Sequence, residues 1–544
     1  MASNVPPKEQ SKPALPPPIE YPTGLKLASI LTSVYLAMFL VSLDRTIIGT
    51  AVPKITDDFH SLNDIGWYAS GYLLPGASFM LLFGKLYRLY PVKSVYLSCI
   101  TVFEIGSAVC GSAPSSKALI VGRAIQGLGS AGLFSGSVMI LIHTVPLQKR
   151  PLFQGIFGAI IGVSSVVGPL LGGAFTDHVS WRWCFYINLP FGALVIAIIT
   201  IFLHVPGQGT YKTLSIRQQI TQLDPPGTAV FLPGMVLLLL ALQWGGSEYP
   251  WSSARVVSCL VLASVLLLAF IAIQIWRKEK ATIPIRILKQ RSVVGAVCYM
   301  FFTGASMQTV VYYIPIWFQS IQGISAVQAG IRTIALVLPL VLATIFGGIL
   351  ASRTGYYVPQ MISSSVLLSI GAGMLTTWTV YTSRGKWIGY QVIYGFGLGL
   401  GIQAPNLAMQ ATLSRLDVPM GTALMFFSQM LGGSVFVSAA QNVFASELRR
   451  LLGGVQGVNV EALIRAGAVG MRHVVDPITL REVLEVFNKA LVSVFYVAVA
   501  VSCTSSLGSL MMEWRSIKNG EGQGERSKIK AVLAERLRSN EQTE

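Results

Sequence analysis

The chain has 544 residues, 53% of them hydrophobic and only 12% charged, whereas about a quarter of residues are charged in soluble globular domains. That balance excludes a soluble fold and makes the bilayer the expected solvent. The formal charge of +17 does not imply a nucleic-acid partner, because no basic stretch is interleaved with base-stacking aromatics and membrane proteins hold surplus Lys and Arg in cytoplasmic loops.

Residues 1–24 carry a polar, Pro-rich stretch from Pro6 to Pro18 without the basic-then-apolar start of a cleaved signal. A disordered cytoplasmic tail is expected, with the first span directing insertion. A bilayer-crossing helix needs roughly 20 apolar residues. Apolar runs bounded by charges or turn-formers predict fourteen of them, at about 27–50, 65–84, 94–113, 118–142, 152–174, 183–204, 227–244, 255–276, 292–315, 330–351, 359–380, 387–410, 421–445 and 490–512. They divide into a six-helix half over 25–204, a polar linker and two extra helices over 205–291, and a six-helix half over 292–512 that includes an outer loop at 446–489. Within that loop, Asp476-Pro477 reads as an N-cap with Pro at the first helical position, followed by the amphipathic stripe Leu480, Val483, Leu484 and Phe487. Residues 513–544 form a basic cytoplasmic tail. Basic residues are in excess on the N-terminal side of the membrane, so the expectation is an all-α integral membrane protein, 14 transmembrane helices arranged 6+2+6, with both termini cytoplasmic.

Two short loops repeat. Gly84-Lys85-Leu-Tyr-Arg-Leu-Tyr-Pro91 follows the second span and Gly348-Ile-Leu-Ala-Ser-Arg-Thr-Gly355 the tenth. Equivalent loops at those places fit two six-helix halves around a central cavity, the usual architecture of secondary transporters.

Ionisable residues at mid-membrane depth are costly, by about 2–3 kcal/mol or more, and are functional candidates by default. Asp44 and Arg45 in the first span, Glu104 in the third and Arg123 in the fourth meet that criterion. At 1.5 Å per residue, Asp44, Glu104 and Arg123 lie about 14, 14 and 9 Å from the outer ends of their spans, so all fit one layer. Such a layer either exchanges a proton, through a carboxylate whose affinity an approaching Arg controls, or is a static salt-bridge network that fixes helix register.

Gly127-Leu-Gly129-Ser-Ala-Gly132 matches GxGxxG, but it lies inside an apolar helical run with no preceding strand. Close helix packing accounts for it, and for the Gly168-Pro169-Leu-Leu-Gly172-Gly173 and Gly395-to-Gly401 clusters. The sequence has no GxxxxGK[ST] loop, which argues against an ATP-driven pump and a nucleotide partner. Gln308, Gln403, Asn406 and Gln429, with Tyr312 and Trp317, supply uncharged hydrogen-bonding and stacking groups suited to a bulky, mostly neutral, partly aromatic ligand; interhelical hydrogen bonding is the alternative. The five His residues show no ligand spacing, the six Cys residues lie in apolar runs without CxxC pairs, and no nucleophile and base set occurs, so neither a metal site nor an enzyme is expected.

Several stretches together resemble the major facilitator superfamily, specifically its 14-spanning drug:proton antiporter family in a fungal style. They are Leu43-Asp-Arg-Thr-Ile-Ile-Gly-Thr-Ala-Val-Pro53, Gly84-Lys-Leu-Tyr87, Gly122-Arg-Ala-Ile-Gln-Gly127, Gly168-Pro-Leu-Leu-Gly-Gly173 and Trp181-Arg-Trp-Cys-Phe-Tyr-Ile-Asn-Leu-Pro190, in the family's order. The resemblance implies the major facilitator fold. It associates Arg123, with Gln126 and Gly127 of the same motif, with proton transfer. It also associates Gly168, Pro169, Gly172 and Gly173 with antiport, Ser164 standing where a further Gly is expected, and it makes Asp44 a family feature. The superfamily loop after the second span has an Asp near the position of Arg88, and this chain has no acid there.

The expected function is proton-coupled efflux by alternating access, at the plasma membrane or the vacuolar membrane, of a bulky, hydrophobic organic compound such as a toxin, secondary metabolite or antifungal drug. Asp44, Glu104 and Arg123 would couple the proton. Gln126, Gln308, Tyr312, Trp317, Gln403, Asn406 and Gln429 would contact substrate, and Gly84, Lys85, Gly127 and Gly348 would serve gating and packing. The proton gradient is the energy source, with no cofactor, and membrane lipid is the surrounding partner. The competing readings are a transporter of a basic amino acid or siderophore and a non-transporting membrane sensor or scaffold.

Overall fold

Hydrocarbon offers the backbone no hydrogen-bond partner, so each apolar run satisfies its N–H and C=O groups internally as a helix. The computed structural model describes residues 21–61, 64–204, 214–246, 249–453 and 477–518. Among these the only β-type pairing is an isolated bridge between Gly245 and Tyr249. The first half comprises α1 (Gly24–Phe59), α2 (Ile65–Leu89), α3 (Val92–Gly111), α4 (Ser116–Thr144), α5 (Arg150–His178), α6 (Trp183–Tyr186) and α7 (Asn188–Phe202). A connecting section follows, with α8 (Ile216–Gln222), α9 (Pro225–Trp244), α10 (Ala254–Arg277) and α11 (Ile285–Leu288). The second half comprises α12 (Arg291–Gln322), α13 (Ala326–Thr354), α14 (Val358–Leu375), α15 (Arg384–Gly401), α16 (Ala404–Thr412), α17 (Val418–Leu452) and α18 (Pro477–Leu510).

Each of the expected spans falls on helix, and among the described residues twelve helical stretches are long and apolar enough to cross a membrane. The two others are α2 and the α15–α16 pair. Both lie against neighbouring helices: Tyr68 and Tyr72 of α2 and Tyr394 and Leu398 of α15 are fully buried. A helix sheathed by protein does not need the apolarity that lipid contact demands.

Several boundaries differ from expectation. The span at 183–204 breaks at Ile187 into α6 and α7, and the span at 387–410 breaks at Ile402 and Gln403, just before Pro405. The last helix begins at Pro477 instead of about 490, and α17 continues to Leu452, so both helices extend into the section expected as an outer loop. Hydropathy misses these ends because their apolar stripes, Leu448 and Leu452 against Val483, Leu484 and Phe487, cover each other. Asp476 and the central part of that loop lie outside the described residues. The linker contains α8, opened by a capping box in which Ser215 and Gln218 bond reciprocally.

The two described chain ends share one end of the bundle. The Tyr21 hydroxyl accepts from Arg415 at 3.0 Å, and the Ile517 N–H donates to the Gly355 carbonyl at 2.9 Å. At this terminal end a single buried cluster runs through both halves, joining Met80, Phe83 and Phe134 to Met420, Leu424 and Phe427. At the far end the halves have separate cores, one around Ile47, Tyr68 and Trp181, the other around Trp317, Trp378 and Phe487. The halves are therefore packed together at the terminal end and part toward the other. Helix α9 bridges them from outside, its Phe231 packing on Phe427 of α17, ring centroids 5.5 Å apart, and its Trp244 on Trp67 of α2, 6.2 Å apart, while α10 packs on α9 through Phe270.

Candidate functional site

Two of the four mid-membrane charges of the first half meet between α1 and α4. Arg123 and Gln126, three residues apart on α4, project from one helix face toward Asp44 of α1. The Arg123 Nη1 and Asp44 Oδ2 atoms form an ion pair that is almost wholly buried. Arg123 Nη1 also donates to Gln126 Oε1 at 3.1 Å, and Nε to the Tyr68 carbonyl at 3.0 Å. Gln126 Nε2 donates to Asp44 Oδ1 at 3.0 Å and to Ser107 Oγ at 2.8 Å. Asn188, at the start of α7, completes the set, donating to Asp44 Oδ1 at 3.4 Å and to Ser107 Oγ at 3.1 Å. The Tyr72 ring covers the guanidinium, 4.4 Å from its carbon. Both carboxylate oxygens of Asp44 are thereby engaged, Oδ2 by Arg123 and Oδ1 by Gln126 and Asn188.

The other two charges stand apart from this set. Glu104 lies at the α3–α7 contact, where a Cβ on Gly192 would collide with its carboxylate, and its two oxygens are buried with no hydrogen-bond partner. Arg45 follows Asp44 in sequence but leans over Phe134, 4.7 Å from the ring centroid.

Close helix approach explains the glycine motifs. A Cβ on Gly127 would clash with the Tyr72 backbone, and one on Gly129 would stand 2.6 Å from the Phe103 nitrogen. Gly168 and Gly172 admit Thr46, Ile47 and Thr50 of α1, whereas Gly173 faces open space. Ser164 keeps a role in that crossing, its carbonyl accepting from Thr46 at 3.0 Å. Pro169 lies inside α5.

The repeated loop glycines mark two related crossings that seal the terminal end. At Gly84, α2 meets α17, and an added Cβ would be 2.7 Å from the Ala423 Cβ. At Gly348, α13 meets α5, and an added Cβ would crowd the Pro151 carbonyl. Buried Lys85 donates to the carbonyls of Gln222 at 2.8 Å and Lys280 at 2.6 Å, tying α2 to the connecting section. The acid missing near Arg88 comes from the other half. Asp417, at the start of α17, lies 3.8 Å from Arg88 Nη2 and accepts from Arg286 Nη1 and Nη2 at 2.6 and 2.7 Å. Burial pushes the Asp417 carboxyl up, but the hydrogen bonds from Arg286 and Ser414 outweigh it and hold it below the usual carboxylate range. Asp224 is governed alike: burial raises it, and hydrogen bonds from Gln274 and Thr282 bring it below its ordinary value.

The polar groups of the second half divide in two. Gln308 and Tyr312, one turn apart on α12, are exposed, Gln308 lying over Gly433. Half-buried Gln429 lies against Gly304, and Gln403 reaches toward Gly158 of α5 across the interface between halves. Asn406 instead accepts from Gln410 at 3.3 Å, and Gln410 accepts from Arg150 at 3.5 Å, deep in the sealed end. Trp317 is fully buried in the second-half core, its ring tilted against that of Trp378 with centroids 4.4 Å apart and its Nε1 donating to Asn488 Oδ1 at 2.8 Å. The structure thus places Trp317 inside the second-half core and Asn406 in the sealed end, where Gln410 links it to Arg150 of the first half.

Sequence reasoning did not select Ser107 or Asn188 for the Asp44 site. The available signal was polar: Asn188 interrupts the apolar run that opens the sixth span. Among the described residues, no group of three or more His, Cys, Asp or Glu side chains is placed to hold a metal ion.

The family model described as Major Facilitator Superfamily matches residues 34–437. The chain is 50% identical over 501 residues to the MFS-type efflux pump MFS1 of Trichophyton rubrum, covering 92% of this chain and 94% of that protein. It is 50% identical over 498 residues to the efflux pump aflT of Aspergillus parasiticus, covering 91% and 97%. It is 50% identical over 503 residues to the rubrofusarin-specific efflux pump aurT of Gibberella zeae, covering 92% and 92%. Among solved structures, the proton:xylose symporter XylE superposes with a TM-score of 0.57 at 13% identity, covering 90% of this chain and 95% of that one. A bacterial homologue of the lysosomal transporter Spinster gives 0.55 at 17%, covering 90% and 98%. At these identities the likeness shows the fold.

Proposed function

Because the chain belongs to the major facilitator superfamily, we propose that it is a proton-coupled efflux transporter that exports a bulky organic compound, of the toxin, secondary-metabolite or antifungal kind, by alternating access. Half-identical relatives named as efflux pumps support export. In this reading the chain spans the membrane 14 times, α2 and the α15–α16 pair adding to the twelve apolar helical stretches. Both termini are cytoplasmic and the membrane is the plasma membrane.

The observation that carries proton coupling is the buried Asp44–Arg123 pair. With the terminal, cytoplasmic end sealed, Asp44 is held by Arg123, Gln126 and Asn188. A proton arriving from the outer side neutralises Asp44, frees Arg123 and loosens α1 from α4. That biases the halves toward the inward-open arrangement, where substrate binds and the proton leaves. Coupling is limited by the difference in affinity of each ligand for the two states. A basic amino acid or cationic chelate is disfavoured, because Asp44 already has its cation and Glu104 is enclosed between α3 and α7.

The test is uptake into sealed vesicles containing the purified protein, under an imposed pH gradient, with a panel of hydrophobic toxins and dyes. Gradient-driven accumulation that a protonophore abolishes, and that Arg123→Ala removes, is the expected result. Undiminished export by folded Arg123→Ala protein would overturn the coupling scheme, and no accumulation of any compound would overturn the efflux reading.

A further inference from the structure

Successive residues on a helix point about 100° apart, so Asp44 and Arg45 serve different surroundings. Asp44 is enclosed by α4 and α7. The Arg45 guanidinium lies 4.7 Å from the Phe134 ring centroid and 5.6 Å from that of Tyr72. Phe134 in turn packs on Phe426 of α17, centroids 5.9 Å apart, and a Cβ on Gly76, one turn along α2 from Tyr72, would touch Met430 of α17 at 4.0 Å. Arg45 is therefore the cation of the first half that stands beside the aromatic meeting line of the two halves.

Its hydrogen-bonding groups are not used by the protein. Nε and Nη2 are buried and have no partner. These two atoms share one edge of the guanidinium, and their parallel N–H bonds match the two oxygens of a carboxylate. The nearby carboxylates are committed or turned away, Asp44 to Arg123 and Glu104 toward Gly192. A cation at this depth with no counter-charge is costly, and an arriving anion removes that cost.

We propose that Arg45 is an anion-recognition group at the meeting line of the two halves, uncovered when the halves move apart during transport, and that the cargo is an aromatic compound bearing a carboxylate or ionised phenol. The acidic oxygens accept from Nε and Nη2 while the ring lies against Phe134 and Phe426. This rests on the efflux reading above and names its substrate class.

The test compares 2-naphthoate with its neutral isostere 2-naphthamide and with 2-naphthylmethylammonium, by titration calorimetry on the full chain in detergent. Wild-type protein is expected to bind the anion about tenfold more tightly than the amide, in line with charge-assisted hydrogen bonding. Arg45→Gln should bring that ratio close to one, and Arg45→Lys should keep part of it, with melting curves confirming that each variant is folded. Equal affinities in the wild type, preference for the cation, no detectable naphthoate binding, or a ratio unchanged in Arg45→Gln would each overturn the assignment. Gradient-driven export of neutral compounds without anion preference would overturn this inference alone and leave the efflux reading standing.

Discussion

Removing the Asp417 carboxylate tests whether the terminal end is held shut by a charge clasp that bridges the halves. The carboxylate is 4% exposed and takes two charge-assisted hydrogen bonds from Arg286, whose own side chain is 42% exposed, with Arg88 of α2 at 3.8 Å. Truncating one partner of a buried, hydrogen-bonded charge pair costs about 2–5 kcal/mol. Solvent screening at Arg286 places the value near the lower limit, about 2 kcal/mol. At 1.4 kcal/mol per factor of ten, Asp417→Ala should shift the equilibrium between closed and open terminal ends about 30-fold toward open. Spin labels at Ser94→Cys and Thr354→Cys, both exposed at that end on opposite halves, report the separation by double electron–electron resonance. The background should have Cys259, Cys298 and Cys503, none of them fully buried, replaced by Ala. A new, longer population in Asp417→Ala is expected. The folded-state pKa of Asp417 is depressed, so its contribution is complete above the unfolded carboxylate value, about 3.9, and is lost only as pH falls through the lower folded value. Lowering the pH from 8 to 5 should therefore leave the clasp intact. A distance distribution unaltered by Asp417→Ala, or a clasp that opens between pH 8 and 5 in a manner abolished by Asp417→Asn, would refute the reasoning.

Other consequences follow from the same contacts. Gly84→Val, or Gly348→Val at the related crossing, should open the terminal end without touching any charge, since each added side chain meets the facing helix, and the same label pair reads it. Asn488→Ala should lower the melting midpoint by removing acceptor and donor from Trp317 and Trp378, a loss of about 1–3 kcal/mol, while leaving the order of preference among transported compounds unchanged. Asp44→Asn should abolish gradient-driven uptake in vesicles, whereas Glu104→Gln, outside the hydrogen-bonded set, should retain at least about half of it; equal losses would place both carboxylates in one proton path. Gly127→Val should prevent α2 from meeting α4 and yield little folded protein by size-exclusion chromatography, as the added side chain would overlap the Tyr72 backbone.

Sequence by itself determined where the chain is helical and which residues are costly in a membrane. Both properties are local: a run of about 20 apolar residues declares itself, and a lone Asp or Arg within it is conspicuous whatever surrounds it. It also exposed the Gly84 and Gly348 repeat, because duplicated halves keep small residues where helices must touch. Only the tertiary structure decided the pairings. Asp44, Arg45, Glu104 and Arg123 fit one layer by arithmetic, yet depth along a helix says nothing about azimuth or about which helix is adjacent. Packing sends Asp44 to Arg123 and Gln126, adds Asn188 and Ser107, turns Glu104 toward Gly192, and leaves Arg45 over Phe134. By the same logic Trp317 and Tyr312, five residues apart on α12, look alike in sequence, but one is buried in the second-half core and the other is 53% exposed. The clasp at Asp417 was least legible, because its members are separated by more than a hundred residues of chain. Hydrophobicity is written residue by residue, whereas a charge acquires its partner only when distant helices are brought side by side.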